Sequence, residues 1–278
     1  MRSDTLYVSD LDGTLLGADS KLSSASIFLL KEAIGQGALF TVATARTPAT
    51  VSTLLADVPL ILPAIVMTGA ALWDRGSNKY LQPHFIDSDD VGEAMKIYRR
   101  LGFSAFIYTL RDGILHIYHI GPMSELEQEF INARIGNPYK KFHIGVDPFA
   151  NMTLIKSNTL LFYAMQPTEK TRRAHEQLCR VPALNPIFYH DIFGPETGIL
   201  EVFSSVASKA IAIGDVKRTV DARRVVVFGD NINDLAMMRA ADVAVAVENA
   251  LPEVKEAADI IIGPNTSDSV AHWILSDS

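Results

Sequence analysis

Short apolar segments alternate with helix-like segments near both ends of the chain. The apolar runs are rich in β-branched residues and end in small or polar residues, and segments such as 24–34 and 234–240 between them have a helical pattern. Continuous apolar strands that alternate with helices are typical of a parallel sheet covered on both faces. The two ends therefore predict one α/β sheet, with strands at 6–9, 39–43, 65–68, 225–229, 243–247 and 260–263.

The middle of the chain has a different pattern, in which alternating strands and amphipathic helices follow one another. Two alternating runs flank Arg111-Asp112-Gly113, and an Asp-Gly turn in this setting is typical of a β-hairpin. The pattern indicates a separate α+β domain. Its other elements are predicted as helices after a cap at Ser88 and over 124–134 and 168–180, and as strands over 160–165 and 187–192.

These patterns predict two domains. Residues 84–198 are expected to form an α+β insert of domain size. Residues 1–83 and 199–278 are expected to form one α/β domain around the parallel sheet.

The amino-acid composition indicates which kinds of molecule the protein can bind. The 278 residues are 48% hydrophobic and 21% charged, as in an ordinary globular protein. The net charge of -7 argues against a broad surface for nucleic acid or an anionic membrane. Cys179 is the only cysteine, so an intramolecular disulfide is excluded. With no signal-peptide pattern and no apolar run of about 20 residues, the chain predicts a soluble cytoplasmic protein of undetermined oligomeric state.

Two aspartates, Asp10 and Asp12, follow the first predicted strand and precede Gly13. Carboxylates this close repel each other unless a cation or a shared proton compensates. Asp oxygens suit Mg²⁺, which takes one or two carboxylates together with substrate phosphate. A helix-loop-helix calcium site is excluded, because its sixth position would be Leu15 and its twelfth Lys21. An ordinary Asp-Gly turn is the remaining alternative for this segment.

Polar side chains follow other predicted strands of the same sheet. In a parallel sheet such residues meet at one edge, which is where α/β folds place their chemistry. Asp230 can supply a second metal carboxylate, and Asp234 can hold a metal-bound water or orient Lys209. Thr44 and the amides around Ala45 can donate to phosphate oxygens, which the ammonium of Lys209 neutralises. The set points to phosphoryl chemistry.

Four motifs in order resemble those of the haloacid dehalogenase superfamily, specifically its Cof-type phosphatases. The motifs are DLDGTL at 10–15, TAR at 44–46, Lys209 in VASKAIAI, and GDNINDLAMM at 229–238. Further similarity runs through TGA at 68–70 and through DVAVAVENALPEVKEAADIII. The resemblance implies a Rossmann-like core, with an α+β cap inserted between the second and third motifs that reads the substrate.

The resemblance also implies a mechanism with an aspartyl phosphate. Asp10 would attack phosphorus, and Asp12 would protonate the leaving alkoxide and then activate water. Mg²⁺ would bind the side chain of Asp10, the backbone carbonyl of Asp12 and Asp230, with Asp234 beside it. The transferring group would be held by Leu11, Thr44, Ala45, Lys209 and Asn233.

The chain departs from the family pattern at four positions near these motifs. Ala45, Ala210 and Ser269 stand where the family usually has Gly, and Thr68 stands where it usually has Asn. Ala45 still offers its backbone N–H to a phosphate oxygen. None of the four changes removes a catalytic side chain.

Three histidines lie in the predicted insert, at 84, 116 and 119. Alternation along a strand puts His116 and Tyr118 on one face and His119 on the other. Each histidine is interpreted as solvated or hydrogen-bonded in the core, and the hairpin tip as a solvated turn. The sequence alone singles out no specificity residue there.

The leading hypothesis is an Mg²⁺-dependent phosphatase that acts on a small phosphorylated metabolite, such as a sugar phosphate. Three alternatives remain: a phosphomutase, a signalling receiver, and a phosphosugar-binding protein without turnover. A receiver is compact and has no insert of a hundred residues, so only fold-level analogy supports it. The intact pair Asp10 and Asp12 disfavours a protein that only binds.

Overall fold

The structure is a computed structural model that describes residues 4–146, 152–155, 158–191 and 194–278. The chain forms two compact units. The first unit contains the chain up to Gln82 together with Ser208–Ser278, and the second contains Pro83–Ala207.

The elements follow one another in three groups. The chain up to Gln82 contains β1 (Thr5–Ser9), α1 (Ser24–Gly35), β2 (Leu39–Val42), α2 (Pro48–Leu54), β3 (Ala64–Val66), β4 (Ala71–Asp74) and β5 (Lys79–Leu81). The second unit contains α3 (Ser88–Leu101), β6 (Ala105–Arg111), β7 (Ile114–Ile120), α4 (Glu125–Asn132), β8 (Lys140–His143), β9 (Thr159–Pro167), α5 (Thr168–Leu178), β10 (Leu184–Asp191) and β11 (Gly194–Ser204). The rest contains α6 (Lys209–Val220), β12 (Arg224–Gly229), α7 (Leu235–Ala240), β13 (Val243–Val247), α8 (Pro252–Glu256), β14 (Ile260–Ile262) and α9 (Ser269–Asp277).

A five-stranded parallel sheet organises the first unit, in the order β14-β13-β12-β1-β2. The connection from β1 leads outward to β2, and the connection from β12 leads outward to β13 on the other side. The strand order therefore reverses between β1 and β12, and the carboxyl ends of strands at such a switch point are where open α/β sheets bind ligands. The parallel α/β core predicted from the apolar runs is present.

The third predicted strand differs from the expectation for 65–68. Strand β3 joins the parallel sheet only through one bridge, Ala43 to Ile65, and pairs with β4 in a separate antiparallel sheet of three strands. It ends at Val66, because Met67 and Thr68 have positive φ angles of 49° and 56°. The chain therefore turns sharply at the edge of the core sheet.

A six-stranded sheet organises the second unit, in the order β10-β11-β9-β6-β7-β8. Its pairs are antiparallel except for β7 with β8. Helices α3 and α5 supply apolar side chains to the core of this unit, among them Tyr98 and Leu178, and the sheet supplies others such as Phe162 on β9. The predicted hairpin is confirmed, with Asp112 and Gly113 both at positive φ in its tip.

Helix and strand limits in this unit shift by a few residues from those predicted. The helix begins at Ser88 itself, with Asp87 in the cap position. Ser124 caps α4 through a reciprocal arrangement with Glu127. The last predicted strand ends at residue 192, which lies outside the described residues.

The second unit ends later than predicted. The expected limit was 198/199, whereas the division lies at 207/208. Strand β11 runs through Gly198 without a break and pairs with β9 and β10 on both sides. Gly198 lies inside this strand, where the lack of a side chain allows close packing.

Among the described residues, every helix is too short or too polar to cross a membrane.

Replacing Gly198 by Ala is expected to lower the free energy of unfolding by about 1–3 kcal/mol, because extra atoms in a packed core cause strain. The new Cβ would lie 2.8 Å from the Phe188 ring and 2.8 Å from Thr171 Cβ. Urea denaturation measures the loss. Gly194→Ala on the same strand is the matched control, since its Cβ would meet no atom within 4 Å. Equal stabilities of the two variants would contradict the packing described here.

Candidate active site

Two carboxylates stand at the ends of the two central strands. Asp10 follows β1, and its N–H donates to the carbonyl of Phe228 on β12 at 3.0 Å. Asp230 follows β12 directly. Because β1 and β12 are parallel neighbours, the predicted convergence of residues 10 and 230 at one sheet edge follows from the topology.

Lys209 is the cation of the site. It is the first residue of α6, whose cap is Ser208, and its side chain is 1% exposed. Its Nζ lies 2.7 Å from Asp10 Oδ1 and 2.7 Å from Asp234 Oδ1. A buried ammonium needs such partners, because the cost of removing it from water is otherwise several kcal/mol.

Asp234 accepts hydrogen bonds through both of its carboxylate oxygens. Oδ1 accepts from Lys209, and Oδ2 accepts from the backbone N–H groups of Asp230 and Asn231 at 3.1 and 3.2 Å. A Cβ on Gly229 would lie 2.7 Å from Asp234 Cβ, so a larger residue there would displace this side chain. Asp234 therefore holds both Lys209 and the turn that carries Asp230.

The turn after β1 positions Asp230 from the other side. Gly13 has φ +76°, and a Cβ there would overlap the Asp230 carboxylate. Thr14 Oγ1 donates to Asp230 Oδ1 at 2.7 Å. Asn249 Nδ2 donates to the carbonyl of Gly13 at 2.7 Å and so fixes the turn.

The site carries more negative than positive charge. Oxygen atoms of Asp10, Asp230 and Asp234 lie within 4.8 Å of one another, and Lys209 alone bonds to two of these carboxylates. Three carboxylates and one ammonium leave a formal charge of about -2, which a divalent cation would neutralise.

The pKa values reflect this imbalance. Burial raises the pKa of Asp10 to about 7, with Asp234 and Asp230 adding to the effect and Lys209 opposing it. Burial also raises the pKa of Asp230 to about 6, against the hydrogen bond from Thr14. For Lys209, burial lowers the pKa but the attraction of Asp10 and Asp234 outweighs it, so the net direction is upward and the ammonium stays charged.

The donor set fits a hard cation such as Mg²⁺, which prefers carboxylate and carbonyl oxygens. Both oxygens of Asp234 are engaged within the chain, which leaves Asp10 and Asp230 as the carboxylates for an ion. The side chain of Asp12 is outside the group of three.

Asp12 pairs with Arg46. Arg46 Nε and Nη2 donate to the two carboxylate oxygens of Asp12 at 2.7 and 2.5 Å. Their side chains are 49% exposed for Asp12 and 29% for Arg46. In contrast to Asp10, this carboxylate lies at the surface of the site and is held by a bidentate cation.

The TAR segment follows β2 and lies beside the turn after β3. Thr44 is buried, and its Oγ1 accepts from Arg46 N–H at 3.1 Å. Its carbonyl accepts from Thr68 N–H at 3.0 Å. Ala45 is half-buried and Asn233 is exposed in the turn before α7, while Leu11 is fully buried. Among the described residues, no hydrogen bond joins the side chain of Asn233 to Asp10, Lys209 or Asp234.

The backbone of Thr68 is strained, and its hydroxyl group is buried without a hydrogen-bond partner among the described residues. Its φ of 56° lies in the left-handed region, which a β-branched residue rarely adopts. The next residue, Gly69 at φ +89°, lies so close to the backbone of Ser208 that a Cβ would overlap it.

Comparison with known protein families shows to which family the chain belongs. The family model described as haloacid dehalogenase-like hydrolase matches residues 7–274. The chain belongs to this family. The resemblance inferred from the motifs is therefore confirmed, and with it the prediction of an enzyme, a phosphatase-type hydrolase.

Relatives and solved structures agree with this assignment. A Bacillus subtilis protein named 5-amino-6-(5-phospho-D-ribitylamino)uracil phosphatase YcsE is 26% identical, over 97% of this chain and 96% of its own. The Escherichia coli pyridoxal phosphate phosphatase YbhA is 54% identical over 52 residues, which is 19% of each chain. A haloacid dehalogenase-like hydrolase from Bacteroides thetaiotaomicron has the same fold, with a TM-score of 0.77, 22% identity and full coverage of both chains.

For three residues of this hydrolase's site, the sequence alone predicted no contact. Thr14 lies within the first motif, and its contact with Asp230 follows from its place after the turn glycine. Arg46 lies within TAR, and its contact with Asp12 joins two motifs that are 34 residues apart in sequence. Asn249 is in the loop after β13, and only the fold brings it to Gly13.

Without a divalent cation, the hydrolase is expected to lose stability as the pH rises from about 4 to about 7. Asp10 and Asp230 have raised pKa values in the folded state, so they retain protons there that the unfolded chain has released. Urea denaturation in chelator at a series of pH values measures the decline. Saturating Mg²⁺ should largely remove it, and Asp230→Asn should flatten it. A rise in stability over this range in chelator would contradict the charge balance.

Replacing Thr68 by Asn is expected to raise the free energy of unfolding by about 1 kcal/mol, because Asn tolerates the left-handed conformation better than a β-branched residue. Thermal and urea denaturation measure the gain. Thr219→Asn, at an exposed position in the last turn of α6, is the control and should change little. A loss of stability in Thr68→Asn would show that the turn is not strained.

Proposed function

We propose that this hydrolase removes phosphate from a small phosphorylated metabolite, such as a sugar phosphate, in an Mg²⁺-dependent reaction with an aspartyl phosphate on Asp10. The observation that carries the proposal is the buried Asp10 carboxylate, placed at the switch point of the sheet with Lys209 at 2.7 Å and a second carboxylate, Asp230, beside it.

Asp10 is suited to act as the nucleophile. It is 6% exposed, so water does not shield its charge from a phosphorus atom brought into contact with it. Lys209 keeps one oxygen oriented and stabilises the ionised form. Covalent attack would divide the reaction into formation and hydrolysis of an acyl phosphate.

Mg²⁺ would be held by the side chains of Asp10 and Asp230 and by the backbone carbonyl of Asp12. When bound, the ion supplies positive charge that reduces repulsion between the phosphate and the carboxylates. The excess of about two negative charges is the observation in favour of a divalent ion.

Asp12 is suited to move protons at the edge of the site. Arg46 orients both oxygens of its carboxylate, and an ionised carboxylate is the form that accepts a proton from water. To donate a proton to the leaving oxygen, Asp12 would first separate from Arg46. For a pair this exposed, separation costs about 0–1 kcal/mol.

Thr44, Lys209, Asn233 and the backbone N–H groups of Leu11 and Ala45 would hold the transferring phosphoryl group. Donors of this kind are needed because phosphoryl transfer relies on positioning and charge compensation around three oxygens. Asn233 would reach the site from its exposed turn only with substrate present.

The second unit would act as the cap that selects the substrate. Its size and its position between the second and third motifs support this role. The relatives named above act on a phosphorylated ribityl compound and on pyridoxal phosphate, and both names favour a compact phosphomonoester for this chain. A single cysteine, Cys179, is compatible with the cytoplasm as its location.

Asp10→Asn is expected to reduce phosphate release at least about a thousandfold, because the nucleophile is lost. Release would be measured across a panel of phosphorylated metabolites with Mg²⁺ and with chelator. Removing one buried negative charge should leave stability equal or higher. Asp19→Asn, on the same loop but exposed, is the matched control and should keep full activity.

Analysis of the products distinguishes hydrolysis from the main alternative reaction. Free phosphate supports hydrolysis, whereas an isomer of the substrate would identify a phosphomutase. Full phosphate release by Asp10→Asn would exclude the covalent mechanism, and full release in chelator would exclude the role given to Mg²⁺.

A further inference from the structure

Two asparagine side chains connect separate loops of the first unit to the turn that follows β1. Asn249 lies in the loop after β13, and Asn265 begins a short helical turn after β14. Asn249 Nδ2 donates to the carbonyl of Gly13 at 2.7 Å, and Asn265 Nδ2 donates to the carbonyl of Leu16 at 2.7 Å. We call Asn249 and Asn265 the amide clamp.

The orientation of the amide clamp is fixed by its hydrogen-bond partners. Asn249 Oδ1 accepts from the backbone N–H of Asn265 at 2.9 Å, so the oxygen of this amide faces a group that only donates. Its nitrogen then faces the carbonyl of Gly13, which only accepts. The nitrogen of Asn265 faces the carbonyl of Leu16 for the same reason. Each side chain is therefore held in one orientation, and the two loops are joined to each other as well as to the turn.

The loop that carries Asn249 also holds the turn after β12. Two residues further on, the N–H of Leu251 donates to the carbonyl of Asp230 at 2.9 Å. The turn after β1 reaches the same aspartate through Thr14 Oγ1, which donates to Asp230 Oδ1 at 2.7 Å. Residues 249–251 therefore join the two turns that carry the carboxylates of the proposed metal site.

Packing in the core does not account for the amide clamp. Asn249 is exposed and Asn265 is half-buried, so neither fills the apolar interior. Among the described residues, their side chains form hydrogen bonds with backbone groups and not with a carboxylate of the site. Removing either side chain would leave the core intact and would release one carbonyl of the turn. The clamp therefore supplies a fixed position for the turn.

Divalent cations differ in how rigid a binding site they need. Mg²⁺ requires near-ideal octahedral geometry with oxygens at about 2.0–2.1 Å, whereas Ca²⁺ accepts more oxygens at about 2.3–2.6 Å in a flexible site. A turn that is held at two of its carbonyls keeps the spacing of its oxygens constant. A turn that is released at one carbonyl can widen, which favours the larger ion.

We propose that Asn249 and Asn265 are positioning residues that fix the turn after β1 relative to Asp230 and thereby set the preference of the metal site for Mg²⁺ over Ca²⁺. The inference rests on the metal site of the proposed function, in which this turn supplies two ligands and Asp230 the third. Gly13, whose carbonyl the clamp holds, directly follows Asp12, whose own carbonyl is one of those ligands. The clamp therefore acts on the ion through the segment that binds it.

Asn249→Ala is expected to raise the dissociation constant for Mg²⁺ about tenfold and that for Ca²⁺ by less than about threefold, because the smaller ion needs the turn held in place. Both constants are measured on the whole protein without substrate, from the rise in the free energy of unfolding with ion concentration in urea denaturation. The ratio of the two constants is the decisive readout, since a general loss of stability does not shift one constant selectively.

Asn265→Ala removes the bond to Leu16 and should change the ratio in the same direction, so it provides a second variant should Asn249→Ala fold poorly. Thr266→Ala, at the exposed position after Asn265, is the matched control and should keep both constants. An unchanged ratio in either asparagine variant would overturn the role of the clamp and leave the proposed function intact. If Mg²⁺ does not stabilise the unchanged protein, the metal site itself is overturned, and the clamp with it.

Discussion

The ammonium group of Lys209 is the interaction on which the catalytic unit depends. It joins a strand end, through Asp10, to the turn after a neighbouring strand, through Asp234. All three side chains are nearly excluded from water, so removing Lys209 would leave two buried carboxylates uncompensated, at a cost of about 3–5 kcal/mol. The same contact therefore stabilises the fold and presents Asp10 with one oxygen oriented.

Backbone geometry makes this arrangement possible. Glycines at 13, 69 and 229 occupy points where a side chain would overlap Asp230, Ser208 or Asp234. Gly13 and Gly69 allow one segment of the chain to approach another that is distant in sequence, and Gly229 leaves room for Asp234 in the turn that follows β12. The close approach fixes carboxylate positions more tightly than long, flexible side chains could.

The core could be predicted from the sequence because its signals are local. Apolar runs of four or five residues predicted the parallel strands, and the residues after them, Asp10 and Asp230, were predicted to converge because parallel strands end at one edge. The four motifs also predicted that Lys209 lies in the same site, where Asp234 can orient it. The roles of these residues in turnover remain predictions.

Other features depend on contacts that leave no local signal. The limit of the second unit was expected at Gly198, but this glycine lies within a continuous strand packed against Thr171 and Phe188. His116 is buried and hydrogen-bonded as expected, but its partner His143 is far from it in sequence and leaves no local signal. Thr68 was expected to end a strand, and its strain is visible only in the backbone angles.

The return of the chain from the second unit has an evolutionary consequence. The boundary at 207/208 is followed at once by Ser208, which caps α6 and whose carbonyl lies against Gly69, and then by Lys209. Recombination can exchange one insert for another. The length of the junction near Gln82, where the chain leaves the first unit, can vary freely because the catalytic residues are distant along the chain. On the returning side, a shift of one residue would displace the lysine from its carboxylates, so new inserts can be acquired only with that junction in register.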